Sequence, residues 1–119
     1  MIPAYDPYQH ARKLGVQVVH RGIGKDTGRW IPRYGAIFLR PGMTARHERS
    51  VLAHEIAHVE YGHTASSRKA ELLADSRAAS RLVLASDFDE LVKWTQELPE
   101  LAIELGVTEN IVRAYIRSR

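Results

Sequence analysis

The apolar and polar positions divide the chain into a mixed first third and a helical remainder. Asp6 stands before Pro7 and Gly15 follows Leu14, which is typical of a short helix with an aspartate cap at its start and a glycine after its last apolar residue. Short runs of β-branched and apolar residues follow, and a glycine-rich turn separates the first two runs. They predict two or three strands of a small sheet, at 16–20, 28–31 and 35–39.

The pattern changes to helical spacing at Thr44. Thr44 with Glu48 behind it predicts a helix start, although His47 rather than Glu48 occupies the capping-box position. This helix is predicted to run to about Tyr61 and to stop at Gly62. Further helices are predicted from Ser66 or Ser67 through Leu84, from Ser86 onward, and as a short pair around residues 106–108. A helix, a small sheet and then several helices predict an α+β fold rather than an alternating α/β fold.

The composition narrows the class of protein and the kind of metal site. A chain of 119 residues, 45% of them apolar, is predicted to form one domain over residues 1–119. The sequence has no cysteine, so nitrogen and oxygen atoms would have to hold any metal. The 17 basic and 14 acidic residues are interspersed, and a net charge of +3 does not by itself indicate nucleic acid. Neither a basic leader nor a membrane-spanning run stands out, so we expect a cytoplasmic protein that does not enter the membrane.

A His-Glu-x-x-His pattern lies in the predicted helix that begins at Thr44. His54 and His58 are four residues apart, so their imidazoles lie on one face, one turn apart, where both can reach the same ion. Glu55 is predicted to reach the water on the metal and to take its proton as the water attacks a carbonyl. The pentapeptide also arises by chance, so a third ligand is needed to decide.

Glu71 and Asp75 supply candidates for the remaining contacts of such a site. They are again four residues apart, in the next predicted helix, on a stripe that continues with apolar residues. One interpretation pairs them with arginines such as Arg68 or Arg77. Beside the upstream histidines, however, Glu71 is predicted to be the third ligand, leaving a fourth position open. Asp75 is predicted to accept the free ring N–H of a liganding histidine.

His63 competes with Glu71 for the third position. In metzincin-type sites the glycine and the last histidine stand three and six residues after the second histidine, and here those positions hold Tyr61 and Thr64. Gly62 and His63 are therefore out of register, and we interpret His63 as a solvated or helix-capping residue. His63 and Tyr61 remain candidates for stabilising an oxyanion. The other three histidines have no ligand-like spacing: His10, His20 and His47.

Taken together, these features resemble the ImmA/IrrE family of small metallopeptidases. The resemblance rests on the strand-like segments, the run from Glu48 to His58, the Glu-x-x-Ala-Asp helix and the helical tail, and it is strongest from Ser50 to Leu84. It implies a zincin-like fold, one zinc ion on His54, His58 and Glu71, and Glu55 as the catalytic base.

The resemblance also suggests a substrate class. Members of the family include proteases of phages and mobile elements that cleave a helix-turn-helix repressor, and relatives that act on a transcriptional regulator. We therefore expect a zinc endopeptidase with such a protein substrate. The family commonly has an aromatic residue after the Ala-Asp pair and a Leu-Leu-Met-Pro-like helix end, whereas residues 76–84 here contain no proline, which affects the expected specificity pocket.

Two further segments each have two interpretations. In a zincin-like fold the strand from Gly35 to Arg40 would hold an extended substrate at a sheet edge, or it would be an internal strand. Residues 98–119 resemble a helix-turn-helix, and DNA contacts would then come from Thr108, Glu109, Asn110 and Arg113. Alternatively they form a packed helical hairpin or a docking surface for a repressor. The alternative function is thus a small DNA-binding or repressor-binding regulator with a structural or vestigial metal site. A third possibility is an enzyme that has lost activity and only binds its partner, and the intact Glu55 argues against it, because a structural site does not need a base there.

Overall fold

Helices and strands follow one another in the predicted order. The computed structural model describes residues 4–119. In this part of the chain it contains helix α1 (Pro7–Lys13), strands β1 (Gln17–His20), β2 (Gly28–Ile31) and β3 (Ala36–Leu39), and helices α2 (Ala45–Tyr61), α3 (Arg68–Leu82), α4 (Ala85–Leu91), α5 (Leu98–Leu105) and α6 (Glu109–Ser118). The predicted α+β class is confirmed.

Side-chain caps set the starts of the first three helices. Asp6 accepts hydrogen bonds from backbone N–H groups in the first turn of α1, and Thr44 accepts one from the N–H of His47 at 3.2 Å. Ser67 caps α3 through the N–H of Ala70 at 3.0 Å. Each cap satisfies a donor that the helix leaves unpaired, so the predicted starts of α1, α2 and α3 are confirmed.

The junction between α3 and α4 differs from the prediction. Helix α3 ends at Leu82, two residues before the predicted Leu84, because Val83 adopts an extended backbone conformation. Helix α4 begins at Ala85 rather than Ser86. Leu84 stands at its N-cap position and makes no side-chain cap, so the polar signal at Ser86 indicated the start one residue late.

The three strands form a sheet in the order β1-β3-β2, with β1 parallel and β2 antiparallel to β3. The prediction that the strand within Gly35–Arg40 forms an exposed edge is therefore wrong, and its interpretation as an internal strand is confirmed. The physical reason is its apolar sequence, since Ala36, Ile37 and Leu39 are all buried. Strand β2, which the sequence indicated less clearly, is the edge that faces α2.

Strand β2 lies unusually close to α2. A Cβ atom added at Gly28 would stand 2.4 Å from Val51 Cγ1 and 3.3 Å from Glu55 Cγ, so only glycine permits this approach. The close packing places the backbone of β2 directly beside the side chains that point from the middle of α2.

Helix α2 contributes to two hydrophobic cores. Leu52 and Ile56 pack with residues of α1 and the sheet, whereas Ala53 packs with the buried faces of α3 and the C-terminal helices. Because one helix lies in both cores, its position relative to the sheet and to α3 is fixed from two sides.

Helices α5 and α6 form a hairpin that packs on the body of the protein. Val107 at its turn and Val112 in α6 are fully buried. Side chains of α2 hold the turn, since Arg46 donates to the carbonyl of Val107 at 2.8 Å and the N–H of Thr108 donates to Ser50 Oγ at 3.1 Å. These contacts agree with a packed helical hairpin.

None of the helices within residues 4–119 is long and apolar enough to cross a membrane. Two predictions from the sequence include residues 1–3, which lie outside the described residues. They are the expected absence of a leader and the single domain over residues 1–119.

Candidate metal centre

Helices α2 and α3 bring three potential ligands together. The Nε2 atoms of His54 and His58 are 3.0 Å apart. Glu71 of α3 places Oε1 3.1 Å from His54 Nε2 and Oε2 2.8 Å from His58 Nε2. Ligand atoms of these three residues all lie within 4.8 Å of one another, so they could hold one metal ion.

The donor set and its spacing fit a divalent ion. Two imidazole nitrogens on a tetrahedral zinc ion lie about 3.3 Å apart, given usual zinc–nitrogen distances of about 2.0–2.1 Å, and the observed 3.0 Å is close to this. The side chains of His54 and His58 are 16% and 10% exposed, whereas that of Glu71 is 43% exposed. The centre is therefore buried on the side of α2 and open on the side of α3.

Asp75 contacts the other ring nitrogen of His54. Its Oδ1 lies 2.7 Å from His54 Nδ1, one helical turn beyond Glu71. Burial lowers the pKa of His54, but the hydrogen bond with Asp75 and the nearby carboxylates outweigh it and raise this pKa to about 9. The contacts of Glu71 and Asp75 are thus with the histidines of α2 rather than with the arginines considered from the sequence.

Glu55 is buried beside the three potential ligands without joining them. Its Oε1 accepts a hydrogen bond from the backbone N–H of Trp30 at 2.8 Å, and its Oε2 lies 3.9 Å from His54 Nε2. Burial raises the pKa of Glu55 above its ordinary value, although His54 and the Trp30 N–H act in the opposite direction. One carboxylate oxygen is therefore anchored by β2 and the other is directed toward the potential ligands.

His63 and Tyr61 lie next to His58. His63 Nδ1 is 2.9 Å from His58 Nδ1, and Tyr61 stacks on the His63 ring with 5.2 Å between centroids. The guanidinium of Arg77 lies over the Tyr61 ring, 4.8 Å from its centroid. The contact between His58 and His63 was not predicted from the sequence.

An open cleft crosses the centre. It consists of two adjoining cavities of about 440 and 340 Å³, which share Asp26, Gly28, Glu55 and Glu71 in their linings. The larger cavity extends toward His63 and the loop that follows it. The smaller extends to the start of α6. Asp26 and Trp30 line the cleft although the sequence did not indicate them, and Thr108 and Asn110 had been considered only as DNA contacts.

The remaining histidines do not contact the three potential ligands. His10 lies beside Tyr5 and Glu60, and His20 lies 3.0 Å from Glu48. His47 is exposed and lines the smaller cavity. Their interpretation as surface or packed histidines agrees with these positions.

By comparison with known proteins, the chain is a metallopeptidase. Residues 11–116 match the family described as Peptidase_M78, IrrE N-terminal-like domain, and the chain belongs to this family. None of the curated proteins compared with the chain matches it. Among solved structures, the chain is similar to the crystal structure of the metallopeptidase zymogen of Pyrococcus abyssi abylysin, with 22% identity, a TM-score of 0.44, and coverage of 74% of this chain and 91% of that chain.

Proposed function

We propose that the protein is a zinc-dependent endopeptidase, with His54, His58 and Glu71 as the metal ligands and Glu55 as the general base. The observation that supports this most is the convergence of two helix-borne imidazoles and one carboxylate at 2.8–3.1 Å, beside a buried glutamate. When bound there, a zinc ion supplies Lewis-acid activation of water and of the scissile carbonyl. Two histidines, one carboxylate and an open position form a ligand set that suits catalytic zinc.

The residues around the ligands define the proton transfers. Glu55 accepts the proton that the attacking water loses, and then delivers it to the leaving amine. The N–H of Trp30 holds one carboxylate oxygen, so the other has a fixed direction toward the reacting atoms. Asp75 accepts the Nδ1–H of His54, which leaves His54 Nε2 free to act as a ligand.

The cleft and the strand edge beside it favour an extended segment of a protein as the substrate. Along strand β2, the backbone groups of every second residue point toward β3. The carbonyl of Thr27, just before the strand, accepts a hydrogen bond from the backbone N–H of Arg40, and Arg29 lies opposite Phe38. The backbone groups of Gly28 and Trp30 therefore face the cleft, as the bond from the Trp30 N–H to Glu55 illustrates. A substrate strand could pair with the free groups of this edge. Because the cleft continues on both sides of the centre, it suits cleavage within a chain.

The substrate we propose is a helix-turn-helix regulator, such as a repressor of a phage or mobile element. The resemblance to the ImmA/IrrE family supports this substrate class, and a regulator that acts on DNA would place the enzyme in the cytoplasm.

Contacts within the C-terminal hairpin argue against the alternative of a DNA-binding regulator. Thr108 is used as the cap of α6, accepting from the N–H of Ile111 at 3.4 Å. Arg113 lies 3.5 Å from Glu109 and donates to Asn110 at 3.1 Å. The turn and inner face of the hairpin are buried in the core and held by side chains of α2, which favours a packing role for the hairpin.

The test is metal analysis combined with cleavage. Purified wild-type protein is expected to hold about one zinc ion per chain, and the His54→Ala, His58→Ala double variant and the Glu71→Ala variant are expected to lose most of it. The zinc-loaded wild type is then incubated with a repressor encoded beside its gene, and fragments are identified by mass spectrometry. A double variant that retains nearly all its zinc would refute the ligand assignment. A zinc-loaded enzyme that leaves that repressor intact but cuts unfolded casein would refute only the substrate class.

A further inference from the structure

Within residues 4–119, three helices end in the same capping motif. A glycine with φ of 70–72° follows each helix, and the next residue donates its N–H to a helix carbonyl five positions back. These bonds join Val16 to Ala11 at 2.9 Å, His63 to His58 at 3.0 Å, and Val107 to Ala102 at 3.0 Å. In each case the glycine itself bonds to the carbonyl three positions back, which completes a Schellman motif.

The motif normally brings together the side chains of the two residues that its longer bond connects. At the ends of α1 and α5 these side chains are valine and alanine, and both pairs lie in hydrophobic cores. At the end of α2 they are His63 and His58, and the apolar contact is replaced by a 2.9 Å contact between two Nδ1 atoms. A position that serves packing elsewhere in this chain therefore holds a hydrogen-bonding group at the candidate centre.

The direction of that hydrogen bond follows from the other side of the His58 ring. His58 Nε2 faces His54 Nε2 and Glu71, so it is the nitrogen available to a metal. A neutral imidazole that ligates through Nε2 carries its proton on Nδ1, and this proton requires an acceptor. His63 Nδ1 is in position to accept it.

We propose that His63 is a positioning residue that holds His58 in its metal-binding tautomer and orientation, as Asp75 does for His54. This inference rests on the proposed metal site. Each histidine ligand then has its own outer partner, one supplied by α3 and the other by the cap of α2. Tyr61 stacks on His63 with an interplanar angle of 18°, and this packing keeps the acceptor directed at His58.

The test compares His63→Asn with His63→Leu, because these side chains are nearly equal in size and only asparagine can accept the Nδ1–H of His58. Zinc affinity is measured by competition with a chelator on metal-free proteins whose far-ultraviolet circular dichroism matches the wild type. The leucine variant is expected to bind zinc about 10- to 100-fold more weakly with unchanged stoichiometry, as for loss of other outer-shell partners. The asparagine variant is expected to recover most of that loss. His20→Ala, which removes an exposed histidine paired with Glu48, is expected to keep wild-type affinity.

Wild-type affinity in the leucine variant would overturn the proposal. An equal loss in the leucine and asparagine variants would also overturn it, because the effect would then come from packing rather than from the acceptor. A wild-type protein that binds no zinc in the same titration would instead refute the proposed function.

Discussion

At the scale of single residues, Glu55 allows metal binding to be separated from catalysis. Its replacement by glutamine keeps the size of the side chain and an oxygen that can accept the Trp30 N–H, but the amide cannot take a proton from water. Glu55→Gln is therefore expected to retain its zinc and to lose activity by about 10²- to 10⁴-fold, the usual contribution of a general base. Zinc content and the rate of repressor cleavage are measured on the same sample.

Glu90→Gln is the control for this prediction, since Glu90 is exposed on α4, which carries none of the ligands, and pairs with Lys93. It is expected to cleave at the wild-type rate. Wild-type cleavage by zinc-loaded Glu55→Gln would show that another group is the base, even if the ligand assignment is correct.

Asp75 offers a second prediction at this scale. Removing the partner of His54 Nδ1 frees the imidazole to change tautomer and to rotate, so Asp75→Ala should weaken zinc affinity about 10- to 100-fold without changing the stoichiometry. A competition titration measures this, with the exposed Asp87→Ala as the control. Unaltered affinity in Asp75→Ala would mean that the carboxylate is only an ordinary partner of His54.

The sequence located the side chains whose positions depend on helical spacing alone. His54 and His58 lie four residues apart on one helix, and Glu71 and Asp75 on the next, so each pair could be predicted to share a helix face. The Trp30 N–H could not be predicted, because a backbone donor has no signature in the sequence and reaches Glu55 only through tertiary packing. Residues of α6 that line the cleft were missed for the same reason.

At the scale of elements, the cap that ends α2 should serve both stability and metal binding. Gly62 and Gly15 have φ of 70° and 72°, and no atom lies within 4 Å of a Cβ added at either position. Alanine at either site therefore costs about 1–2 kcal/mol of backbone strain without a steric clash. Urea unfolding of the metal-free proteins measures this cost.

The same two variants are expected to differ in zinc affinity. Gly62→Ala disturbs the bond between His63 and His58 and should weaken zinc binding, whereas Gly15→Ala alters an equivalent cap far from the centre and should not. Equal zinc affinity in both variants would contradict a link between this cap and the metal centre.

The order of the strands was the least predictable feature of the elements. Each strand had a local signal, but the placement of β3 between β1 and β2 depends on which apolar faces are buried together. The apolar run 35–39 was typical of a buried strand, and that burial is what makes it internal. The sheet edge beside α2 is therefore β2, which contains polar and aromatic residues and had the weaker strand pattern.

At the scale of the whole molecule, one polar cluster joins the N-terminal segment to helices α2 and α3. Glu60 of α2 bonds to Arg81 of α3 through both oxygens, at 2.5 and 2.9 Å, and lies 3.6 Å from His10 of α1. Tyr5 donates to or accepts from His10 at 2.6 Å, and Arg77 lies 3.9 Å from Glu60. Together with the two cores that share α2, this cluster supports our proposal that the chain is a single domain.

The cluster leads to a prediction for stability against pH. Burial raises the pKa of Glu60, but the hydrogen bond and charge of Arg81, together with the charges of His10 and Arg77, outweigh burial and hold this pKa below its usual value. A carboxylate whose pKa is lowered in the folded state stabilises the protein at pH values above its pKa in the unfolded state. This contribution is lost as the pH falls through its pKa in the folded state. The contribution of Glu60 should therefore be complete at neutral pH and be lost progressively as the pH falls from the usual glutamate pKa through the lower pKa of the folded state.

Urea unfolding of metal-free wild type and Glu60→Gln at pH 7, 5 and 3 measures this contribution. The variant is expected to be less stable than the wild type at pH 7 and 5, and the difference should shrink at pH 3, where the wild-type carboxylate also becomes protonated. Glu90→Gln removes the exposed pair with Lys93 and is expected to change stability little at any of these pH values. A difference between wild type and Glu60→Gln that stays constant from pH 7 to pH 3 would show that the charge of Glu60 does not stabilise the junction of α1, α2 and α3.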